Sequence, residues 1–388
     1  MPRLASIDVL RALTMLLMIF VNDLWSLHDI PLWLEHTAAK EDGMGLADVV
    51  FPAFLVIVGM STPFAVASRR AKGETTQQIF IHIISRAFAL IVMGVFLVNG
   101  ETINANATGI PRWIWFPLSC LCFILIWNSY PKSMNKTLRI SLQTIGALVL
   151  ITMAILYKGG DNGSEHFATS WWGILGLIGW AYLAGSLAYL FLGHSLVLMI
   201  LFWAACLSIN IANHAELLTN ATTLRVILSP FGEGAMPAFV AGGTICSMLF
   251  SNYRNDDKNL RVIGLLLALG GILCIAGFAL RPLHGISKIQ ATPSWVLICT
   301  AITFAAFAFV YWLVDIKKRS DLFNIIKPAG TNTLTVYLLP YFAYAILNAF
   351  SIQYPDVISS GAVGLLKSFL FALLIVIIGG KIPVKVKL

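Results

Sequence analysis

Charged side chains are scarce in this sequence, at 11% of the 388 residues, whereas hydrophobic types make up 58%. Soluble domains carry roughly 25% charged residues. A soluble protein so poor in charge could not cover its own surface, so lipid has to be the solvent for much of this chain, and the mean hydropathy of +0.83 agrees. The composition therefore predicts a polytopic membrane protein with nearly all of its mass in apolar helices.

Paired cysteines, internal repeats and low-complexity linkers are also missing. The six cysteines lie inside or at the ends of apolar segments and show no CxxC spacing, so we expect neither a disulfide framework nor a metal site. The missing repeat weakens the interpretation as an inverted-repeat transporter, and the missing linkers predict one domain over residues 1–388. The net charge of +8 comes from short basic clusters between apolar runs, which indicates membrane topology rather than nucleic-acid binding.

The apolar runs predict an all-α bundle of ten to twelve transmembrane helices, with twelve favoured. About 20 apolar residues are needed to cross the hydrocarbon core. The stretch 171–213 is one apolar run broken only near Gly193 and His194, so a merger there would lower the count to ten or eleven. The predicted spans are 7–26, 48–68, 79–99, 113–130, 137–157, 171–192, 194–213, 229–250, 260–280, 293–314, 329–350 and 361–380.

Basic residues orient these predicted spans. If the N-terminus is cytoplasmic, most of the 26 lysines and arginines fall in the inside loops. This bias favours a bundle with both termini in the cytoplasm. The basic residues left in the outside loops are Lys40, Arg112, Lys158, Arg225, Arg281 and Lys288.

Polar groups gather at the predicted cytoplasmic ends of spans one to three. Asp8 and Arg11 are three residues apart and share one helix face. They form either an ion pair at the membrane interface or the cationic edge of a ligand site. Cations here either set the topology or bind a polyphosphate such as coenzyme A. The candidate cofactor-binding residues are Arg11, Arg69, Arg70, His82 and Arg86.

A second set of polar groups is predicted near the outer side and on span eleven. Ionisable groups at membrane depth are costly and are functional candidates by default. Asp48 begins span two, where it caps the helix and can also orient the imidazole of His36, which is otherwise a solvated loop residue. Asn22 ends span one, and Asn332 lies about one turn inside span eleven. Each asparagine is either a polar residue at a helix terminus or a ligand of the substrate.

Several segments resemble the heparan-alpha-glucosaminide N-acetyltransferase family. Residues 6–11, SIDVLR, are similar to the family's opening S-[LV]-D-x-[LF]-R-G. Residues 46–55, LADVVFPAFL, with the upstream VN and His36, resemble its V-N … H … AD-[LV]-VFP-x-F block. Residues 286–295 and 328–337 resemble its N-K … P-S and P-G-x-N-[ST]-x-x-V-Y segments.

The chain also departs from the family pattern. Ala12 stands where the family usually has glycine, and two extra residues separate His36 from Asp48. The tryptophan and glycine that commonly follow the histidine are absent. Residues 100–280 match the family in hydropathy alone. The departures that follow His36 bear on the identity of the acceptor more than on the chemistry.

The resemblance implies a bacterial inner-membrane acyltransferase that moves an acetyl group from cytoplasmic acetyl-CoA to an amino sugar or related glycan in the periplasm. His36 takes the position of the family's catalytic histidine and would act as base or acetyl carrier. Asp48 would fix its tautomer, while Asn22 and Asn332 would donate hydrogen bonds to the oxyanion. The expected partners are the bilayer and the acceptor, without nucleic acid, and a homodimer is left open.

Two other classes of protein compete with this interpretation. A secondary transporter of a sugar or small peptide would move its substrate without consuming a thioester. A structural or assembly protein would leave Asn22, His36, Asp48 and Asn332 scattered rather than close together.

Overall fold

Helices make up the regular structure in the computed structural model, which describes residues 4–171, 173–253 and 259–386. Four basic residues of the predicted inside loops lie outside these described ranges: Arg3, Arg254, Lys258 and Lys387. The α-helices of the described residues are α1 Ala5–Asp23, α2 Leu46–Ala71, α3 Thr76–Glu101, α4 Ala105–Thr108, α5 Arg112–Trp127, α6 Lys136–Leu156, α7 Ile174–Leu192, α8 Leu196–His214, α9 Thr222–Leu228, α10 Ala235–Tyr253, α11 Asn259–His284, α12 Pro293–Tyr311, α13 Thr333–Ala349 and α14 Gly361–Lys381.

Ten helices among the described residues are long and apolar enough to cross a membrane, and α5 and α13 are shorter apolar helices. The prediction of an all-α, multi-pass membrane protein is thereby confirmed. The run 171–213 divides into α7 and α8, because Ser195 caps a new helix by accepting a hydrogen bond from the Leu198 N–H. The predicted span 229–250 lies within the apolar helical stretch Thr222–Ser251. The α-helix α10 itself begins at Ala235, after a turn at Ser229–Gly234 in which Gly232 and Gly234 have positive φ angles.

Burial separates an inner group of helices from an outer group. Most of the apolar stretch is buried in α1, α2, α10 and α12, whereas α6, α8, α11 and α14 are largely exposed. Exposed apolar helix faces are what a lipid solvent requires. Two glycines, Gly59 and Gly243, let the backbones of α2 and α10 touch, because a Cβ on either would lie 1.9 Å from a carbonyl oxygen of the other helix.

Functional groups gather at two ends of the bundle, because Arg11 near the start of α1 contacts Gly330 before α13, and Asp48 at the start of α2 contacts Trp295 at the start of α12. We call the end holding the start of α1 the Arg11 end, and the end holding the start of α2 the His36 end. Helix α1 has 19 residues, and at 1.5 Å per residue it separates the two ends by about 28 Å.

Candidate functional site

At the His36 end, the imidazole of His36 faces the carboxylate of Asp48. His36 Nδ1 and Asp48 Oδ1 are 2.7 Å apart, the side chain of His36 is 46% exposed and that of Asp48 is 1% exposed. A carboxylate only accepts hydrogen bonds, so Nδ1 carries the proton and Nε2 is left with a lone pair. In the neutral ring, Nε2 is thus the nitrogen with the lone pair that a general base requires.

Asp48 is held by its position in the first turn of α2. Its second oxygen, Oδ2, accepts hydrogen bonds from the backbone N–H groups of Thr37 and Gly45, both at 3.0 Å. Gly45 has no room for a side chain, because a Cβ there would lie 1.9 Å from the carbonyl oxygen of Glu35. One buried carboxylate thus caps a helix and joins the two ends of segment 37–45, which directly follows His36.

Lys288 is a third member of this site and was missed as a functional residue by sequence reasoning. Its Nζ lies 3.2 Å from Nδ1 and 3.4 Å from Nε2 of His36, and 4.0 Å from Oδ1 of Asp48. The ammonium therefore lies against the ring at nearly equal distances from its two nitrogens, of which Nδ1 is already bonded to Asp48. Burial lowers the pKa of Lys288, while the charge of Asp48 acts in the opposite direction.

The loop between α11 and α12 is fastened to the loop that carries His36. Asp42 accepts from Arg281 Nε at 2.9 Å and from the Ile286 N–H at 2.7 Å. The Gly43 N–H donates back to the carbonyl of Ile286 at 2.9 Å. The hydrogen bond from Arg281 lowers the pKa of the Asp42 carboxyl. These contacts bring Lys288, 252 residues from His36 along the chain, to the ring.

A cavity of about 750 Å³, called here the His36-end cavity, opens at the same end of the bundle, but His36, Asp48 and Lys288 are not among its lining residues. At its side Asp23 is buried and accepts hydrogen bonds from the hydroxyls of Tyr344 at 2.8 Å and Ser368 at 2.6 Å. The Lys367 ammonium lies 3.4 Å from the same carboxylate. A lone lysine within a predicted span, and an aspartate at the end of another, are signals from which sequence reasoning could have identified this network. Among the polar residues lining the cavity are Asn22, Asp23, Ser26, Glu101, Arg112, Asn348 and Lys367.

A second cavity, of about 650 Å³, lies toward the Arg11 end. The predicted cofactor ligands that line it are Arg11, Arg69, His82 and Arg86. Arg70 is exposed and is not among its lining residues. Four of the five predicted basic side chains thus meet at one cavity.

These basic side chains are held in different ways. Arg11 donates to Asp8 at 3.2 Å and to the carbonyl of Gly330 at 2.9 Å. Arg69 donates to His82 Nε2 at 2.7 Å. Arg86 lies over the ring of Tyr182 at 4.8 Å, and its buried Nε has no hydrogen-bond partner among the described residues. The charged side chains that line this cavity are three arginines and one carboxylate, Asp8, a balance that favours an anionic ligand.

The two cavities have wall residues in common. Leu175 of α7 and Tyr337 of α13 line both of them. A ligand extended from the Arg11 end would therefore meet these two side chains before it reached the other cavity.

The structure places the two predicted oxyanion donors at opposite ends. Asn22 lines the His36-end cavity, and neither it nor Asn332 is a hydrogen-bond partner of His36. Asn332 lies beside Gly330, which contacts Arg11, and its amide donates to the carbonyls of Gly379 at 2.9 Å and Val384 at 3.1 Å. Both amide hydrogens of Asn332 are thus already used.

Comparison with known proteins gives a family match and two partial relatives. The family model described as a domain of unknown function, DUF5009, matches residues 3–227. Heparan-alpha-glucosaminide N-acetyltransferase of Homo sapiens is 33% identical over 102 residues, which is 25% of this chain and 14% of the human protein. The same enzyme of Mus musculus is 33% identical over 101 residues, with equal coverage. The chain therefore matches about one seventh of the length of these relatives.

Proposed function

The chain belongs to the DUF5009 family, and from this and its distant similarity to an acetyltransferase we propose that it transfers acetyl groups across a membrane. Acetyl-CoA binds at the Arg11 end, on the cytoplasmic side of a bacterial inner membrane, and the acceptor is an amino sugar or related glycan at the His36 end. Both termini are cytoplasmic, and residues 1–388 act as one domain. The observation that carries the proposal is the His36–Asp48 pair.

In this mechanism, His36 works through Nε2. The acceptor amine forms a bond to the thioester carbonyl carbon as Nε2 takes its proton, and the carbon–sulfur bond then breaks. His36 returns the proton to the departing thiolate, which restores the neutral ring. An acetyl-imidazole route uses the same nitrogen as nucleophile. In both routes Asp48 keeps the proton on Nδ1.

The negative charge that develops on the carbonyl oxygen needs a positive partner. Lys288 places its ammonium 3.4 Å from His36 Nε2, beside the reacting atoms, and Asn22 supplies an amide at the same end of the bundle. Losing one oxyanion donor typically costs about 3 kcal/mol of transition-state stabilisation. Asn332 is left out of this role, because its amide hydrogens are donated to the backbone near the Arg11 end.

Lys288→Arg is expected to change the pH profile of turnover. Because burial lowers the pKa of Lys288, the wild-type protein should lose this charge, and with it activity, at a lower pH than an ordinary lysine would. Arginine stays protonated, so the fall of activity at alkaline pH should move to higher pH in the arginine variant. Turnover measured from pH 6 to 10 tests this, with Lys288→Met as the variant that loses activity at every pH. If turnover falls at the same alkaline pH in the arginine variant as in the wild-type protein, the charge of Lys288 takes no part in the reaction.

Binding of acetyl-CoA tests the proposal without an acceptor. At a concentration of 100 times Kd, acetyl-CoA should stabilise the detergent-purified protein by about 2.7 kcal/mol, seen as a raised melting temperature. Arg86→Gln is expected to remove most of this gain, whereas Arg70→Gln, which loses the same charge outside the cavity, should keep it. Equal losses in both variants would point to nonspecific attraction, and a wild-type protein that is not stabilised would contradict the proposed function.

The same cavities support one alternative. Two cavities at opposite ends of a bundle, with wall residues in common, are also what a transporter of a sugar or small peptide requires. A transporter would accumulate substrate in proteoliposomes without releasing free coenzyme A thiol. Thiol release that depends on the acceptor would decide for the transferase.

A further inference from the structure

Pro52 stands inside α2, one helical turn after Asp48. In an α-helix, the N–H of each residue donates to the carbonyl four residues earlier. Proline has no N–H, so the carbonyl of Asp48 lacks its usual partner within the helix. Prolines are tolerated in membrane helices where a neighbouring helix supplies the missing hydrogen bond. The donor that reaches the Asp48 carbonyl is therefore part of what holds the start of α2.

Helix α12 supplies this donor. The indole N–H of Trp295 donates to the Asp48 carbonyl at 2.9 Å, and Trp295 is completely buried. The thiol of Cys299, one turn further along α12, lies 3.9 Å from the same oxygen, but a thiol is a weak donor. The indole is thus the principal partner of this carbonyl.

The second interior proline of α2 is accommodated in the same way. Pro63 removes the helical partner of the Gly59 carbonyl, and the hydroxyl of Thr244 on α10 lies 3.2 Å from that oxygen. Each proline of α2 is therefore matched by a side-chain donor from another helix. The match at Pro52 differs in its consequence, because the carbonyl that it concerns belongs to a residue of the candidate site.

We propose that Trp295 is a positioning residue for the candidate site. Its indole N–H replaces the hydrogen bond that is missing at Pro52, and thereby holds the Asp48 carboxylate against Nδ1 of His36. Without the indole, the buried carbonyl has to turn toward another donor, since leaving it unsatisfied is costly. The carboxylate turns with it, because both groups belong to one residue. The effect on catalysis rests on the proposed function, whereas the effect on the geometry does not.

A double-mutant cycle tests the proposal on the full-length protein in nanodiscs. Trp295→Phe keeps the aromatic ring and removes the N–H, so kcat for acetyl transfer should fall about tenfold, with KM for acetyl-CoA unchanged. Pro52→Ala returns a backbone N–H to the Asp48 carbonyl and should leave kcat near the wild-type value. In the Pro52→Ala background, Trp295→Phe should therefore change kcat by less than about twofold. If Trp295 acts by packing alone, it will lower kcat by the same factor in both backgrounds, which would overturn the proposal.

The tautomer of His36 provides a measurement that needs no acetyl transfer. Long-range nitrogen–proton NMR correlations of histidine-labelled protein report which ring nitrogen carries the proton, and the His36 signals are assigned by their loss in His36→Gln. The proton should be on Nδ1 in the wild-type protein, shared between the two nitrogens in Trp295→Phe, and back on Nδ1 when Pro52→Ala is added.

Trp115→Phe is the matched control. Trp115 is also completely buried, and its indole N–H donates to the carbonyl of Phe96 at 3.0 Å, so this variant loses an equivalent hydrogen bond away from Asp48. It should keep the wild-type kcat and tautomer. Equal effects of the Trp115 and Trp295 variants, or a wild-type tautomer and kcat in Trp295→Phe, would overturn the proposal. The expected tautomer changes without acetyl transfer by any variant would uphold the positioning role and contradict the proposed reaction.

Discussion

His36→Ala is expected to reduce acetyl transfer to below a tenth of the wild-type rate while leaving expression and acetyl-CoA binding intact. The ring supplies the one nitrogen that the Asp48 contact leaves as an acceptor, and general bases contribute roughly 10²–10⁴-fold to rates. Its side chain is 46% exposed, so its removal should cost little folding stability. The measurement is acceptor-dependent release of coenzyme A thiol by protein in nanodiscs.

His28→Ala is the control for this experiment, since His28 is an exposed histidine in the same loop and should leave the rate unchanged. Asp48→Asn should lower the rate as well, because an amide at that position can turn its donor toward Nδ1 and favour the wrong tautomer. A His36→Ala protein that keeps more than a tenth of wild-type turnover rules out His36 as base and as acetyl carrier. If the wild-type protein acetylates none of the tested amino sugars, that result contradicts the proposed transferase function.

Gly243→Leu is expected to prevent assembly of the bundle. A Cβ at this position would lie 1.9 Å from the carbonyl oxygen of Val56 and 2.9 Å from the backbone nitrogen of Met60. Backbone atoms cannot yield as the end of a flexible side chain can, so α2 and α10 must separate. Their separation would also break the hydrogen bonds from Thr244 to Gly59 at 3.2 Å and from Ser247 to Met60 at 2.6 Å. Membrane helices associate through such close packing.

Gly271→Leu provides the comparison, because Gly271 lies on the exposed helix α11 and a Cβ there would have nothing within 4 Å. This variant should fold normally, while Gly243→Leu should yield no monodisperse peak in fluorescence-detected size-exclusion chromatography. A well-folded Gly243→Leu protein would show that the contact between α2 and α10 is not required.

Hydropathy was enough to locate the helices, because lipid exposure imposes one simple rule on every span: about 20 apolar residues with their backbone hydrogen bonds satisfied internally. The turn before α10 did not show in the hydropathy, because it comes from positive φ angles at Gly232 and Gly234 inside an apolar run. Hydropathy carries no information on such local backbone geometry.

The candidate site was less predictable from the sequence. The partnership of His36 and Asp48 follows from local rules, since they are 12 residues apart and a carboxylate in the first turn of a helix naturally faces the preceding loop. Lys288 follows from no local rule, because two loops far apart in the chain have to dock. Asn332 lies at the Arg11 end, where the charge bias already places the start of span eleven, so its predicted role beside His36 was at odds with the predicted topology.

The clamp formed by the Asp48 carboxylate has a consequence for how this loop can evolve. Because the same side chain holds the N–H of Thr37 and the N–H of Gly45, residues 38–44 form a closed excursion that leaves from and returns to one point. Insertions or deletions at residues 38–41 lengthen or shorten the excursion without displacing the imidazole, whereas changes at Asp42 or Gly43 release the loop that carries Lys288. The length of this segment can therefore vary while the His36–Asp48 pair stays in place.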